Sequence, residues 1–383
     1  MIFTSIAAAQ SGNDSGHVLT QARALRAEHR PDAAIRVLDE YLTSHPEDAN
    51  ALTVLAQAHL DENDVELAKQ LLTKALASSP NSPAANVVFG DLLLEEHRYP
   101  EAMDRFETVL GIDLRNPEAR RGELTAATDL AVSVRGADRP DAALKVLEHA
   151  RSALPDDPKL LFELGVEADE VGSWPEARDA LESARKLEPD HPDVLYALAR
   201  LETDEQHLQA AEADFRAYLT KRPNDASAHY GLGYILAMEQ RTDEAKAEFE
   251  RSMQLQPVQT ESYYELGQIE LDARHDAQAE PLFLKVLARD PKHGGALTGM
   301  GILAFRRKDY AQAEQYLAQA EKTAPDYQPA HYYRGLALAR LGQKTEADRE
   351  LQVAAQLDRQ QEAPPGAAAT TPGASHPSPA PPP

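Results

Sequence analysis

The sequence predicts an all-α protein built as an array of about ten helix pairs. Three observations support this prediction: a proline recurs every 34 residues, an alanine recurs at the same interval, and a large apolar residue stands four positions after each alanine. Between these markers, apolar residues are spaced by three and four, which is typical of amphipathic helices and not of strands. A chain of 383 residues would otherwise divide into two or three globular domains, which a repeat array does not require.

Prolines mark the ends of successive units. The spacing of 34 residues joins Pro46 to Pro80 and then continues from Pro155 to Pro325. Proline ends a helix because it lacks an amide hydrogen and disfavours helical geometry in the preceding residue. The distance from Pro80 to Pro155 exceeds two repeats by seven residues, so the fourth unit is predicted to have a longer first helix.

Each unit carries a small residue on both of its helices. The second helix has an alanine followed one turn later by Leu or Phe, and in most units Gly or Ala stands twelve residues before that alanine. Small residues let two helix axes approach closely while bulky neighbours interlock around them. The alanines are Ala34, Ala68, Ala102, Ala143, Ala177, Ala211, Ala245, Ala279, Ala313 and Ala347.

This combination of small, large and helix-breaking positions resembles the tetratricopeptide repeat (TPR) family, and in particular its multi-repeat proteins of bacterial type. The resemblance covers residues 15–361. It implies a TPR-type α-solenoid that forms a right-handed superhelix, with the first helices of the units lining a concave groove. The predicted units are about 15–48, 49–82, 83–116, 117–157, 158–191, 192–225, 226–259, 260–293, 294–327 and 328–361.

The two ends of the chain differ in composition from the array. Residues 1–14 are predicted to be a flexible terminus or the remnant of a signal peptide, since MIFTSIAAAQ is apolar and rich in alanine but lacks a basic start. With an export signal the protein would be periplasmic, and without one it would be cytoplasmic, so the sequence leaves the compartment undecided. Residues 362–383 are rich in Pro and Ala and are predicted to form a disordered tail.

The chain is strongly acidic, with a net charge of −24, and it contains no cysteine. This charge repels phosphate backbones, so no nucleic acid partner is expected. No segment is apolar for long enough to cross a bilayer, so direct membrane insertion is not expected either. The sequence has no metal-binding histidine spacing, no phosphate-binding loop and no G-x-S-x-G motif. We therefore predict no enzymatic activity, no cofactor and no metal.

The resemblance implies that the fifth position of each unit points into the groove. Tyrosine recurs at this position, and aromatic rings with a polar tip are suited to holding a peptide. The alternative is that these rings only pack against the next helix. The candidate peptide-binding residues are Phe162, Tyr196, Arg200, Tyr230, Tyr234, Tyr264, Phe305, Tyr332 and Tyr333. The lysine and asparagine with which chaperone-binding members hold a terminal carboxylate are missing from the matching positions.

The sequence thus predicts a non-enzymatic scaffold that binds a protein or peptide in its groove. Acidic and aromatic residues there favour a ligand with apolar anchors and some positive charge. The alternative is a structural component of a larger assembly, such as one in the cell envelope, that self-associates through the last repeat. In that repeat, no further helix is predicted to cover Leu351, Val353 and Leu357.

Overall fold

The computed structural model describes residues 3–135 and 139–361, with side chains described from Ser15 onward except at positions 140 and 361. Throughout this part of the chain all regular structure is α-helical, without any strand. None of the helices in the same part is long and apolar enough to cross a membrane. The predicted tail, residues 362–383, lies outside the described residues.

The chain divides into two compact units, of which the first comprises residues 1–189. Each odd-numbered helix of this unit packs against the even-numbered helix that follows it, and successive odd-numbered helices also contact one another. The helices are α1 (Phe3–Ala27), α2 (Pro31–Ser44), α3 (Ala49–Asp61), α4 (Val65–Ser78), α5 (Pro83–Glu95), α6 (Tyr99–Leu110), α7 (Pro117–Arg135), α8 (Pro140–Ala153), α9 (Pro158–Glu170) and α10 (Trp174–Leu187).

The second unit comprises residues 190–383 and has the same arrangement. Its odd-numbered helices contact each other in chain order, and each packs against its even-numbered partner. The helices are α11 (Pro192–Asp204), α12 (Leu208–Lys221), α13 (Ala226–Met238), α14 (Thr242–Leu255), α15 (Glu261–Asp272), α16 (Asp276–Arg289), α17 (Gly294–Arg306), α18 (Tyr310–Thr323), α19 (Gln328–Arg340) and α20 (Lys344–Gln361). The predicted pattern of paired helices is thereby confirmed.

Two helices of the first unit depart from the common length. The lengthened helix predicted for the fourth repeat is confirmed by α7, which has 19 residues where α5 and α9 have 13 each. Helix α1 extends back to Phe3, through a segment that was predicted to be a flexible terminus or a signal remnant. A run of three alanines in this segment, which have the highest helix propensity, favours the extension.

The helices of a pair approach closely because glycine stands at the contact. A Cβ atom built on Gly267 would lie 2.8 Å from the Phe283 ring, and one built on Gly233 would lie 2.9 Å from the Phe249 ring. The space left by the missing side chain is thus filled by the large residue that follows the repeat alanine, and not by the alanine itself. Phe249 and Phe283 are fully buried, as are Ala245 and Ala279, so the predicted close packing of small and large residues is confirmed.

A tight turn with left-handed backbone geometry joins the two helices of most pairs. The turn residue has a positive φ, as is common just after a helix C-terminus, where it satisfies the last carbonyl groups. It is glycine only at Gly172 and Gly342; the others are His29, Asn63, His97, Gln206, Gln240, Arg274 and Lys308. All nine stand at the same position of the repeat.

Candidate functional site

Two of the fifth-position tyrosines of the second unit, Tyr196 and Tyr264, contact the first helix of the next repeat. Tyr264 of α15 lies over the start of α17, where a Cβ atom on Gly295 would come within 2.5 Å of the Tyr264 hydroxyl. Tyr196 of α11 forms a hydrogen bond with Ser227 of α13, which stands at the corresponding place in the next repeat. These rings therefore connect neighbouring repeats.

This placement determines how much of each predicted ring is exposed. Tyr196 and Tyr230 are each 3% exposed, and Tyr264 is half-buried. Tyr332 is 42% exposed, because no further first helix follows α19 among the described residues. Burial leaves little of Tyr196 and Tyr230 for a ligand, and the exposed aromatic surface is concentrated on other residues.

The remaining predicted residues are all half-buried. In the second unit, the Tyr234 ring lies 6.4 Å from that of Tyr230, and Phe305 and Tyr333 have ring centroids 5.9 Å apart. Tyr333 also makes an edge contact with Tyr332, with centroids 5.4 Å apart. Two of these remaining residues take no part in the ring contacts just described. They are Arg200, on α11 of the second unit, and Phe162, on α9 of the first unit.

The fold also brings three of the predicted tyrosines together with Tyr327, which the sequence analysis did not name as a site residue. We call Tyr230, Tyr234, Tyr264 and Tyr327 the tyrosine cluster. Burial raises the pKa of all four phenols, and the negative charge of Glu265 adds to the rise in each of them. Glu265 follows Tyr264 directly on α15 and stands three residues before Gln268, so it lies on the same part of the helix as these two members of the site.

The polar groups of this site are incompletely paired. Burial alone raises the pKa of the Glu265 carboxyl to about 7. The Gln268 amide donates a hydrogen bond to the Tyr264 hydroxyl at 3.1 Å and lies 3.5 Å from that of Tyr327. Its oxygen, Oε1, is buried and has no hydrogen-bond partner. The site thus has a carboxylate and an amide oxygen that can accept hydrogen bonds.

A second polar cluster links α18, α19 and α20. His331 Nδ1 lies 2.8 Å from Glu350 and 3.3 Å from Glu321, while its Nε2 lies 2.8 Å from the Pro325 carbonyl oxygen. The three side chains place ligand atoms within 4.8 Å of one another, a spacing that a metal ion could use. Arg334, however, contacts Glu321 and lies 3.2 Å from Glu350. Its guanidinium supplies the positive charge, so the cluster is best described as an ion-pair network.

The apolar side of the last helix is partly covered. Leu351, Val353 and Leu357 are all half-buried. Leu351 packs against Gly335 of α19, where an added Cβ atom would lie 2.7 Å from the leucine side chain. The three side chains are thus partly exposed, as the sequence predicted.

These features define a class of protein, a scaffold of stacked helix pairs whose first helices form a continuous layer in each unit. The chain belongs to the tetratricopeptide repeat family. One tetratricopeptide repeat model of the family matches residues 19–83, 163–225, 196–260, 264–329 and 298–367, and a second matches residues 59–123. Repeats of this family generally serve protein–protein interaction.

The chain is similar to several solved structures at low sequence identity. A tetratricopeptide repeat protein from Parabacteroides merdae is 17% identical, with a TM-score of 0.50, over 61% of this chain and 93% of that one. PilW, a type IV pilus biogenesis factor, is 20% identical, with a TM-score of 0.48, over 54% and 96% of the two chains. Pseudomonas aeruginosa pilF is 22% identical, with a TM-score of 0.46, over 53% and 91%. No curated protein has a matching sequence.

Proposed function

We propose that this chain is a non-enzymatic scaffold that binds a segment of a partner protein along the first helices of its second unit. The observation that carries the proposal is the series of partly exposed aromatic residues on consecutive first helices. Tyr234 belongs to α13, Tyr264 to α15, Phe305 to α17, and Tyr332 and Tyr333 to α19. Because α13, α15, α17 and α19 contact each other in order, these residues can meet one extended or helical ligand.

The chemistry of these residues suits protein recognition. A tyrosine ring contributes a large apolar area with only two rotatable bonds, so that ordering it costs little conformational entropy. Tyr332 is the most exposed of the predicted residues and is the candidate anchor. The acidic surroundings, from a chain of net charge −24, favour a partner segment that carries positive charge.

Selection from a displayed library of random peptides tests this function without knowledge of the natural partner. We expect the protein to enrich a defined set of peptides. A double variant, Tyr234→Ala with Tyr332→Ala, should bind the enriched peptides at least about tenfold more weakly, since aromatic anchors typically contribute 2 kcal/mol or more. Affinity is measured by calorimetry, and circular dichroism checks that the variant remains folded.

Leu284→Ala is the matched control. Leu284 is a large apolar residue, 48% exposed, on α16, which is a second helix of the same unit. Its removal should leave peptide affinity unchanged. Failure to enrich any peptide, or equal losses from the control and the tyrosine variant, would contradict binding along the first helices.

A further inference from the structure

We propose that the tyrosine cluster and Glu265 form a subsite for the cationic end of a lysine or arginine side chain. This inference rests on the proposed function, because the side chain belongs to the bound partner segment. It adds the chemical identity of one ligand residue and the protein residues that recognise it. Glu265 is the central residue, and it was not among the residues predicted from the sequence.

In the described part of the chain, the Glu265 carboxylate forms no ion pair and no hydrogen bond with a cationic side chain. Glu163 stands three repeats earlier at the same repeat position and provides the comparison. Burial raises the pKa of both carboxyls, but at Glu163 the charges of Lys159 and Arg135 act against that rise. At Glu265 no neighbouring charge acts against the rise in pKa that burial causes. A carboxylate that is partly removed from water without a counter-ion is costly, and a cation from a ligand would remove that cost.

The rings and the amide around Glu265 complete the recognition of a cation. Aromatic faces attract ammonium and guanidinium groups, most strongly where water is partly excluded. Tyr230 and Tyr234 have ring centroids 6.4 Å apart, and the Tyr264 hydroxyl is held by the Gln268 amide. Gln268 Oε1 is buried without a hydrogen-bond partner, and a ligand ammonium group, which offers three donors, reaches it only when the amide turns outward.

The other charged groups near the cluster favour a cation as well. Glu261 and Asp204 contribute to the raised pKa values of Tyr230 and Tyr234, and Asp272 contributes to that of Tyr327. His293 of α17 lies against Tyr264 with ring centroids 4.7 Å apart, and burial lowers its pKa. His293 is therefore neutral near pH 7 and does not take the place of the missing cation.

The subsite can be reached from solvent. Glu265, Gln268, Tyr234, Tyr264 and Tyr327 are all half-buried and keep part of their surface exposed. Only Tyr230, at the base of the cluster, is almost completely covered. A flexible side chain of a bound segment could thus place its charged end beside Glu265 while its aliphatic part contacts the rings.

Two small probes test the subsite separately from peptide binding. Nα-acetyl-lysine N-methylamide carries the cation, and Nα-acetyl-norleucine N-methylamide has nearly the same chain without the amino group. Each is titrated into protein with ¹³C-labelled tyrosine rings and followed by NMR. We expect the lysine probe to cause saturable shifts of cluster resonances, and the norleucine probe to bind at least about tenfold more weakly, as loss of a charged hydrogen bond implies.

Glu265→Gln is the test variant, and Glu163→Gln is the control at the same repeat position. Glu265→Gln keeps the size of the side chain, and it should weaken binding of the lysine probe about tenfold or more. Glu163→Gln should leave that binding unchanged. Equal binding of the two probes, or unchanged binding in Glu265→Gln, would overturn the subsite. Peptide enrichment without a preference for basic residues would likewise contradict it while leaving the proposed function intact.

Discussion

Asp48 and Asp225 occupy the same position in their repeats and make the same pair of contacts. Each carboxylate caps the next first helix, accepting a hydrogen bond from Ala51 N at 3.1 Å and from Ala228 N at 3.0 Å, respectively. Each also accepts a hydrogen bond from a tyrosine hydroxyl of the preceding helix, Tyr41 or Tyr218. A single carboxylate thereby links the second helix of one repeat to the N-terminus of the first helix of the next repeat.

Glu123 of α7 is a buried carboxyl group that destabilises the folded protein at neutral pH. Its side chain is fully buried, and neither carboxylate oxygen has a hydrogen-bond partner. Burial, together with the charges of Glu107 and Asp104, raises its pKa to about 8 from an ordinary value of 4.5. The folded protein thus holds this proton more tightly than the unfolded chain. Its contribution to stability is therefore greatest below about pH 4.5 and falls as the pH rises to about 8.

We predict that Glu123→Met stabilises the protein, and does so more at pH 8 than at pH 5. Methionine fills a similar volume without a buried charge, and the difference should grow by roughly 1 kcal/mol per pH unit between these values. Thermal unfolding of variant and parent at both pH values measures it. Glu118→Met, at an exposed position of the same helix, is the control for the loss of one carboxylate from the surface of α7. An equal effect of Glu123→Met at the two pH values would show that its carboxyl does not titrate abnormally.

At the scale of elements, contacts between helices depend on where glycine is placed. Gly295, in the first turn of α17, makes room for Tyr264 of α15, since an added Cβ atom would lie 2.5 Å from the tyrosine hydroxyl. Gly16, in α1, has no atom within 4 Å of such a Cβ. The same substitution should therefore have opposite effects at the two positions.

Gly295→Ala is predicted to lower the free energy of unfolding by about 1–3 kcal/mol, because the overpacked contact outweighs the better helix propensity of alanine. It should also lower the affinity for the lysine probe, because Tyr264 is displaced from the cluster. Gly16→Ala should be neutral or stabilising by up to about 1 kcal/mol. Chemical denaturation measures both variants. A stabilised Gly295→Ala protein with unchanged probe binding would mean that Tyr264 moves aside without consequence.

At the scale of the whole molecule, the dominant property is the net charge of −24. Such a charge steers basic ligands toward the protein, and dissolved salt screens this attraction over about 10 Å at 0.1 M. We predict that the affinity for a library-selected basic peptide falls several-fold between about 20 and 200 mM salt. The same peptide with norleucine in place of lysine should respond less. If salt lowered the affinity of the two peptides equally, long-range attraction to the lysine charge would not contribute to binding.

The sequence by itself determined the repeat. Its period, its helix pairs and the longer α7 follow from local rules, because helix periodicity, proline and small residues act within a few residues of their own position. The left-handed turns were not predicted, because seven of the nine turn residues are not glycine and their type changes from repeat to repeat.

Only the tertiary structure decided which side chains are exposed and which stand beside each other. Tyr196, Tyr230 and Tyr332 occupy equivalent positions in the sequence, yet two are buried and one is exposed, since exposure depends on whether a following first helix packs over the ring. Glu163 and Glu265 are equivalent in the same way, but only Glu163 has cations beside it. The repeat pattern specifies each backbone position, whereas the electrostatic environment of a side chain depends on neighbours that are distant along the chain.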